Sequence, residues 1–132
     1  KLENVNNRAI LTININIDTE DVNIASNIVN ELIFKIQKYK DGSWPEYNIV
    51  PLNIENQSNG SFNVSIDISD FETCGKMSTG ENEGYLVTLK TSSIDNGSIS
   101  LGTAPETITI GDKTYSFEDQ WGNLKIVINN AN

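Results

Sequence analysis

Two tryptophans lie in turn-rich segments, where an aromatic ring is able to stack against a sugar. Trp44 is followed closely by Tyr47 in the segment 40–47, and Trp121 precedes the last alternating segment of the chain. These residue types combine an apolar ring with a polar atom, which suits a half-exposed position. Trp44, Tyr47 and Trp121 are therefore the candidate ligand-stacking residues. The favoured alternative is that both tryptophans cover the ends of a folded core.

Acidic residues form two clusters that are candidate calcium ligands, since calcium is bound by carboxylate and carbonyl oxygens. Neither cluster has the loop spacing or the central glycine of an EF-hand. Ordinary solvated loop charges are therefore the favoured interpretation, and the sequence predicts no cofactor, with calcium as the alternative. The clusters are Asp18, Glu20 and Asp21 in one turn and Asp67, Asp70 and Glu72 in another.

Most of the side-chain chemistry that enzymes use is absent from this sequence. There is no histidine, and Cys74 is the only cysteine. Ser-His-Asp and Cys-His catalysis, histidine-ligated metals and intrachain disulfides are therefore excluded. Lys76 stands close to Cys74 and would lower a thiol pKa, but no base accompanies the pair. Carboxylates arranged for glycoside hydrolysis are the enzymatic alternative, and the sequence favours a protein that is not an enzyme.

The charge balance excludes two classes of partner. Acidic residues number 18 against 9 basic ones, which gives a net charge of −9. A negative field of this size repels phosphate backbones and anionic lipid surfaces. No apolar stretch approaches the roughly 18 residues that a transmembrane helix needs. Neither nucleic-acid binding nor membrane insertion is expected.

Strict alternation of apolar and polar residues predicts four strands that each bury one face. These alternating segments are Leu11–Ile17, Phe62–Ile68, Tyr85–Leu89 and Leu124–Ile128. Their apolar residues, together with Phe34, supply the predicted core, which consists of Ile13, Ile15, Phe34, Val64, Ile66, Val87, Leu89, Ile126 and Ile128.

Further elements follow from shorter patterns. The segment 107–117 is predicted to be a hairpin, because two alternating runs flank a short turn that contains Gly111. Ile49–Ile54 is a predicted strand, with Pro51 indicating an edge or a bulge, and Ser98–Leu101 is a weaker candidate. Apolar residues between Ala25 and Ile36 have helical spacing, but several asparagines oppose a helix. A strand over Asn30–Tyr39, preceded by a loop or one helical turn, is therefore favoured.

The whole chain of 132 residues is predicted to be one domain. Seven to nine short strands at regular spacing indicate an all-β, two-sheet antiparallel sandwich, immunoglobulin-like or jelly-roll in the broad sense. The chain lacks the Cys…Trp…Cys signature of antibody-type domains, and none of its motifs resembles a known family.

The leading functional hypothesis is a non-enzymatic extracellular module with a structural or adhesive role, including a self-assembling, pilus-like fibre subunit. Its partners would be other copies of itself or neighbouring surface-protein domains. The chain opens with Lys1, which is expected of a processed or excised product, and a secreted or cell-surface location is predicted. The alternative is a carbohydrate-binding module that uses the aromatic loop residues.

Strand addition is the mechanism that this hypothesis suggests for assembly. The N-terminal strand has one clean apolar face and follows a polar lead, so it is a candidate for pairing with another subunit. Its candidate inter-subunit residues are Leu11, Ile13, Ile15 and Ile17. The favoured alternative is an ordinary first strand that pairs within its own sheet.

Overall fold

The structure is a computed structural model, which describes residues 1–17, 21–33, 35–39, 43–58, 60–76, 79–80, 82–87, 97–100, 107–120 and 123–131. Within these ranges the chain forms eleven strands and one helix. In chain order they are β1 (Leu2–Val5), β2 (Arg8–Ile17), α1 (Val22–Ile33), β3 (Lys35–Tyr39), β4 (Glu46–Asn48), β5 (Asn53–Ser58), β6 (Ser61–Asp67), β7 (Gly84–Val87), β8 (Gly97–Ser100), β9 (Thr107–Ile110), β10 (Lys113–Gln120) and β11 (Asn123–Asn130).

The strands form two antiparallel sheets, which confirms the predicted all-β sandwich. In the first sheet the order is β1-β2-β6-β5, and β8 pairs with the second half of β2 beyond the end of β1. In the second sheet the order is β4-β3-β7-β11-β10-β9. The strands outnumber the predicted seven to nine because short edge strands such as β1 and β4 carry too few residues to show a periodic pattern.

Strand β2 lies in the interior of the first sheet. It pairs with β6 along one edge and with β1 and β8 along the other. Its odd-numbered residues from Ala9 to Ile17 are buried, as the period of two predicts. Leu11, Ile13, Ile15 and Ile17 are part of the core. This agrees with the alternative of an ordinary strand that pairs within its own sheet, and pairing with another subunit stays a prediction.

The core between the two sheets contains the predicted residues that the structure describes. Each of them is buried at 0–1% exposure: Ile13, Ile15, Val64, Ile66, Val87, Ile126 and Ile128. The predicted core residues Phe34 and Leu89 lie outside the described residues. Strands β7 and β11 are also buried on their outer faces, since Leu86 and Val127 are inaccessible as well.

The strand predicted over Asn30–Tyr39 is wrong in its first part, which belongs to helix α1. Only β3 is extended, whereas Asn30–Ile33 is the last part of a three-turn helix rather than strand. Asp21 caps this helix, because its side-chain oxygen accepts hydrogen bonds from the backbone N–H groups of Asn23 and Ile24. The helix buries Ala25, Ile28 and Val29 in the core. This tertiary contact outweighs the low helix propensity of its asparagines.

Helix α1 spans 12 residues. No helix in the described part of the chain is both long enough and apolar enough to cross a membrane.

Two tight turns set the register of their hairpins. Asn6 and Asn7 both have positive φ, 53° and 63°, which is the conformation that a two-residue turn between twisted strands requires. Gly111 has a φ of 60° in the turn between β9 and β10, which confirms the predicted hairpin. The predicted Ile49–Ile54 strand is wrong in its bounds, since Pro51 lies in the connection between β4 and β5.

The two long sides of the sandwich differ. On one side β1 of the first sheet contacts β9 of the second. On the other side the chain passes directly from β4, at the edge of the second sheet, to β5, at the edge of the first. We call residues 44–58 the open side, because among the described strands β4 and β5 each pair along one edge only.

We expect Ile66→Ala to lower the free energy of unfolding by about 2–5 kcal/mol, the range for large-to-small changes in a core. Ile66 is 1% exposed and lies between the sheets on β6. Denaturant titration measures the loss. Val50→Ala is the control, because Val50 is exposed and the change should stay within about 0.5 kcal/mol. An unchanged midpoint for Ile66→Ala would contradict the assignment of its face.

Candidate functional site

The β3–β4 hairpin brings an aromatic pair to the open side. Tyr39 ends β3, and Trp44 stands opposite it just before β4, two positions beyond the paired residues Gln37 and Glu46. The rings stack with their centroids 4.2 Å apart and an angle of 28° between their planes. Trp44 remains 37% exposed. The pair therefore forms a partly exposed aromatic surface beside the paired strands β3 and β4.

Tyr47 does not join this aromatic pair. It lies an odd number of positions after Trp44, so the pleat of the strand turns it to the opposite face. There its ring meets Tyr85 edge to face at a centroid distance of 5.3 Å, and its hydroxyl lies 3.4 Å from Glu72 Oε2. Of the three predicted stacking residues, Trp121 lies outside the described residues and the other two are separated. Tyr39, which lies near Trp44 in the sequence, is the ring that stacks on Trp44, as the spacing of the hairpin allows.

A lysine is buried on the core-facing side of the second sheet. Lys38 is 2% exposed and pairs in register with Tyr85. Its Nζ lies 3.0 Å from Glu72 Oε2 and 5.3 Å from the centroid of the Tyr85 ring. The aliphatic stem thus lies within the core while the ammonium reaches a carboxylate at the edge of the sandwich. This arrangement satisfies the charge within the fold.

The connection after β6 carries the chain across one end of the sandwich. Its backbone carbonyls accept hydrogen bonds from the second sheet: Lys113 Nζ donates to Ser69 O at 3.1 Å, and the Tyr85 hydroxyl donates to Glu72 O at 3.1 Å. Burial is the main cause that raises the pKa of Tyr85 well above its ordinary value. Burial likewise raises the pKa of the Tyr115 hydroxyl, which lies 3.4 Å from Ser69 O.

The acidic cluster at this connection is engaged in ion pairs. Arg8 holds Asp67 through Nε and Asp70 through Nη2, each at 2.9 Å. Glu72 is paired with Lys38, as described above. Asp18 and Glu20 of the other cluster lie outside the described residues, while Asp21 caps α1. Among the residues that the structure describes, no three carboxylates, thiols or imidazoles converge on a common point.

Opposing influences set the pKa of Asp67. Burial alone would raise it, but the backbone N–H of Ser69, 2.9 Å from Oδ1, and the guanidinium of Arg8 outweigh burial. The pKa of Asp67 is therefore lower than its ordinary value.

Cys74 is held as a structural residue beside β11. Its backbone N–H donates to Ile128 O at 2.6 Å, and its sulfur accepts the N–H of Ile128 at 3.4 Å. Burial raises the pKa of this thiol more than the nearby Lys38 lowers it. This direction favours the protonated thiol over the thiolate.

The outer face of the first sheet is polar and hydrogen-bonded to itself. Asn14 Nδ2 donates to Ser61 Oγ at 3.1 Å and to Asn63 Oδ1 at 3.0 Å. The hydroxyls of Thr12 and Ser65 lie 3.2 Å apart in the same row. This face therefore presents amide and hydroxyl groups between β2 and β6, without charge at its centre.

Two exposed apolar side chains flank Pro51 on the open side. Val50 is 81% and Leu52 is 62% exposed, whereas Trp44, 37% exposed, lies at the other end of β4. The described residues contain five large exposed hydrophobic side chains, and the other two, Val5 and Ile24, lie on separate elements. The sequence did not indicate this exposure, because Val50 and Leu52 fall within the predicted strand Ile49–Ile54. Apolar groups left in water at one place are typical of an interaction site.

Comparisons with models of protein families, with curated proteins and with solved structures give no match for this chain.

We predict that the Asp67 carboxylate makes stability depend on acid pH. Because its folded-state pKa is lowered, it stabilises the fold above the unfolded-state pKa of about 4, and this contribution is lost as the pH falls through the lower folded-state value. Asp67→Asn keeps an oxygen for the Ser69 N–H but removes the titration. In urea titrations at successively lower pH, the free energy of unfolding should therefore fall less steeply for Asp67→Asn than for the natural chain. Equal slopes would contradict the assignment.

We predict that the buried hydroxyl of Tyr85 makes stability fall at alkaline pH. The pKa of this hydroxyl is higher in the folded state than in the unfolded state. The neutral hydroxyl therefore stabilises the fold fully below the unfolded-state pKa of about 10, and this stabilisation is lost as the pH rises above that pKa. Tyr85→Phe should cost about 1 kcal/mol at neutral pH, because the hydrogen bond to Glu72 O is lost. It should also make the alkaline loss of stability less steep. Tyr39→Phe, in the half-exposed aromatic pair, is the comparison variant. An alkaline profile for Tyr85→Phe that matches the natural chain would refute this account.

Proposed function

We propose that this chain is a non-enzymatic extracellular module with a structural or adhesive role, secreted or held at the cell surface. In this proposal it binds protein partners, either other copies of itself or neighbouring surface-protein domains, through the open side. No catalytic residue and no cofactor take part.

The observation that carries this proposal is the location of the exposed apolar side chains. Val50 and Leu52 lie between two strand edges that have no neighbour among the described strands, and Trp44 lies at the start of the same side. Elsewhere the described apolar residues are largely enclosed between the sheets, and the outer face of the first sheet is polar. Burial of these side chains against a partner would contribute roughly 25 cal/mol for each square ångström of apolar surface covered.

A carbohydrate-binding module is the second candidate, and the stacked pair of Tyr39 and Trp44 is the observation that favours it. Aromatic faces stack on sugar rings, and a paired ring is held in place before the ligand arrives. Protein and glycan partners would therefore depend on different residues of the same open side.

The experiment compares four probes: a second copy of the chain, fibrillar collagen, fibronectin and a panel of glycans. Self-association is followed by sedimentation, and the other arms by titration of tryptophan fluorescence. We expect saturable binding of at least one protein probe by the natural chain. The double substitution Val50→Lys with Leu52→Lys should weaken it at least tenfold, because charged groups would be desolvated at the contact. The matched control is Val5→Lys with Ile24→Lys, which changes the charge equally at exposed apolar positions elsewhere.

The outcomes separate the two candidates. Binding of a protein probe that the open-side variant loses and the control keeps supports the proposal. Saturable binding of glycans alone, lost in Trp44→Ala, replaces it with the carbohydrate module. Protein binding that is equal in all variants, or no binding of any probe, refutes the use of the open side.

A further inference from the structure

We infer that the outer edge of β5 accepts an extended strand from another polypeptide, one that alternates apolar and basic residues. This inference rests on the proposed function, since it names the kind of protein segment that the open side binds. Three observations support it: the edge of β5 that no other described strand borders, the apolar Leu52 and Ile54 beside that edge, and the negative charge of Glu55 on the outer face.

Strand β5 has one backbone edge that no other strand borders within the described part of the chain. It pairs with β6 over Asn53–Ser58, and no other described strand borders it. In an antiparallel pair, half of the N–H and C=O groups of an edge strand point away from its neighbour and are able to pair with an added strand. A bulge lies between Asn56 and Ser58. The regular part of the edge is therefore Asn53–Asn56, where the added strand would pair.

The core-facing side of this edge is apolar and incompletely covered. Ile54 pairs with the buried Val64 and packs only partly buried against the core. Leu52 stands two positions earlier, at the bend just before β5, and is 62% exposed. A strand added beside β5 would bring one of its own faces next to these two side chains. Apolar residues on that face would extend the core across the open side.

The outer side of the same edge is polar and negatively charged. Glu55 pairs with Asn63 on the outer face of the first sheet. Residues 44–58 contain Glu46 and Glu55 but no lysine or arginine, and the chain carries a net charge of −9. Basic residues on the outer face of the added strand would therefore be attracted, and a second copy of this acidic chain would be repelled. A heterologous basic strand fits the edge better than a copy of the chain does.

The other edges are less suited to strand addition. β4 provides only three residues, Glu46–Asn48. On the opposite side β9 contacts β1, so an added strand would meet the other sheet. Among the described strands, only β5 combines a longer edge that no described strand borders with exposed apolar neighbours.

The test uses three labelled synthetic peptides and fluorescence anisotropy. One peptide alternates valine and lysine, the second alternates valine and glutamate, and the third repeats the first with alternate backbone amides methylated to block strand pairing. The natural chain should bind the valine–lysine peptide saturably, and added salt should weaken this binding. Neither of the other peptides should bind comparably.

Charge-reversal variants test whether the peptide binds at the edge of β5. Glu55→Lys should weaken binding of the valine–lysine peptide about tenfold, because a cross-strand attraction becomes a repulsion, and should strengthen binding of the valine–glutamate peptide. Glu46→Lys on β4 is the matched control, since it changes the net charge identically and should have a much smaller effect. Far-ultraviolet circular dichroism checks that both variants keep the fold.

Several results would overturn the inference: no saturable binding of any peptide, equal binding of the methylated peptide, or equal effects of Glu46→Lys and Glu55→Lys. If the protein probes bind through Val50 and Leu52 while no peptide binds, the proposed function stands and strand addition is refuted. If the peptide binds with the predicted charge dependence, the inference holds even where the particular protein probes fail.

Discussion

The connection between β6 and β7 must cross the end of the sandwich without leaving buried backbone groups unpaired, and much of the structure follows from that requirement. Lys113 and Tyr85 of the second sheet donate to its carbonyls, and Arg8 and Lys38 bind its carboxylates Asp70 and Glu72. Lys38 therefore has a charged partner although it is buried inside a β-sandwich. The side chains of Lys38, Tyr85 and Lys113 join the second sheet to this connection.

The sandwich is covered unequally around its perimeter. Helix α1 buries its apolar face in the core between the end of β2 and the start of β3, the crossing connection closes another part, and β1 meets β9 along one side. The open side lacks such a cover among the described residues, and there the apolar side chains of Val50 and Leu52 face water. The proposed interaction surface lies on this uncovered side.

Patterns of period two predicted the sheets well, because a half-buried strand must alternate. The helix was not predicted because the low helix propensity of the asparagines was given more weight than the helical spacing of Ala25, Ile28 and Val29. In the folded chain the contact of these three residues with the core stabilises the helix despite that low propensity. The Asp21 cap was a signal that could have reversed the choice. The pairing of Tyr39 with Trp44 depends on hairpin register, and the exposure of Leu52 depends on where a strand begins. Neither is visible in composition.

The position of β2 has a consequence for how the chain acquires its fold. Ile15 pairs with Phe62 on one side and with Ile99 on the other. Strand β2 therefore pairs with strands that lie much later in the sequence. Such distant pairings slow folding, because long loops must close before contacts form. During synthesis the apolar face of β2 is complete long before either neighbour exists. A nascent or truncated chain that lacks β8 would therefore expose half of an edge rich in isoleucine, which is a template for aggregation.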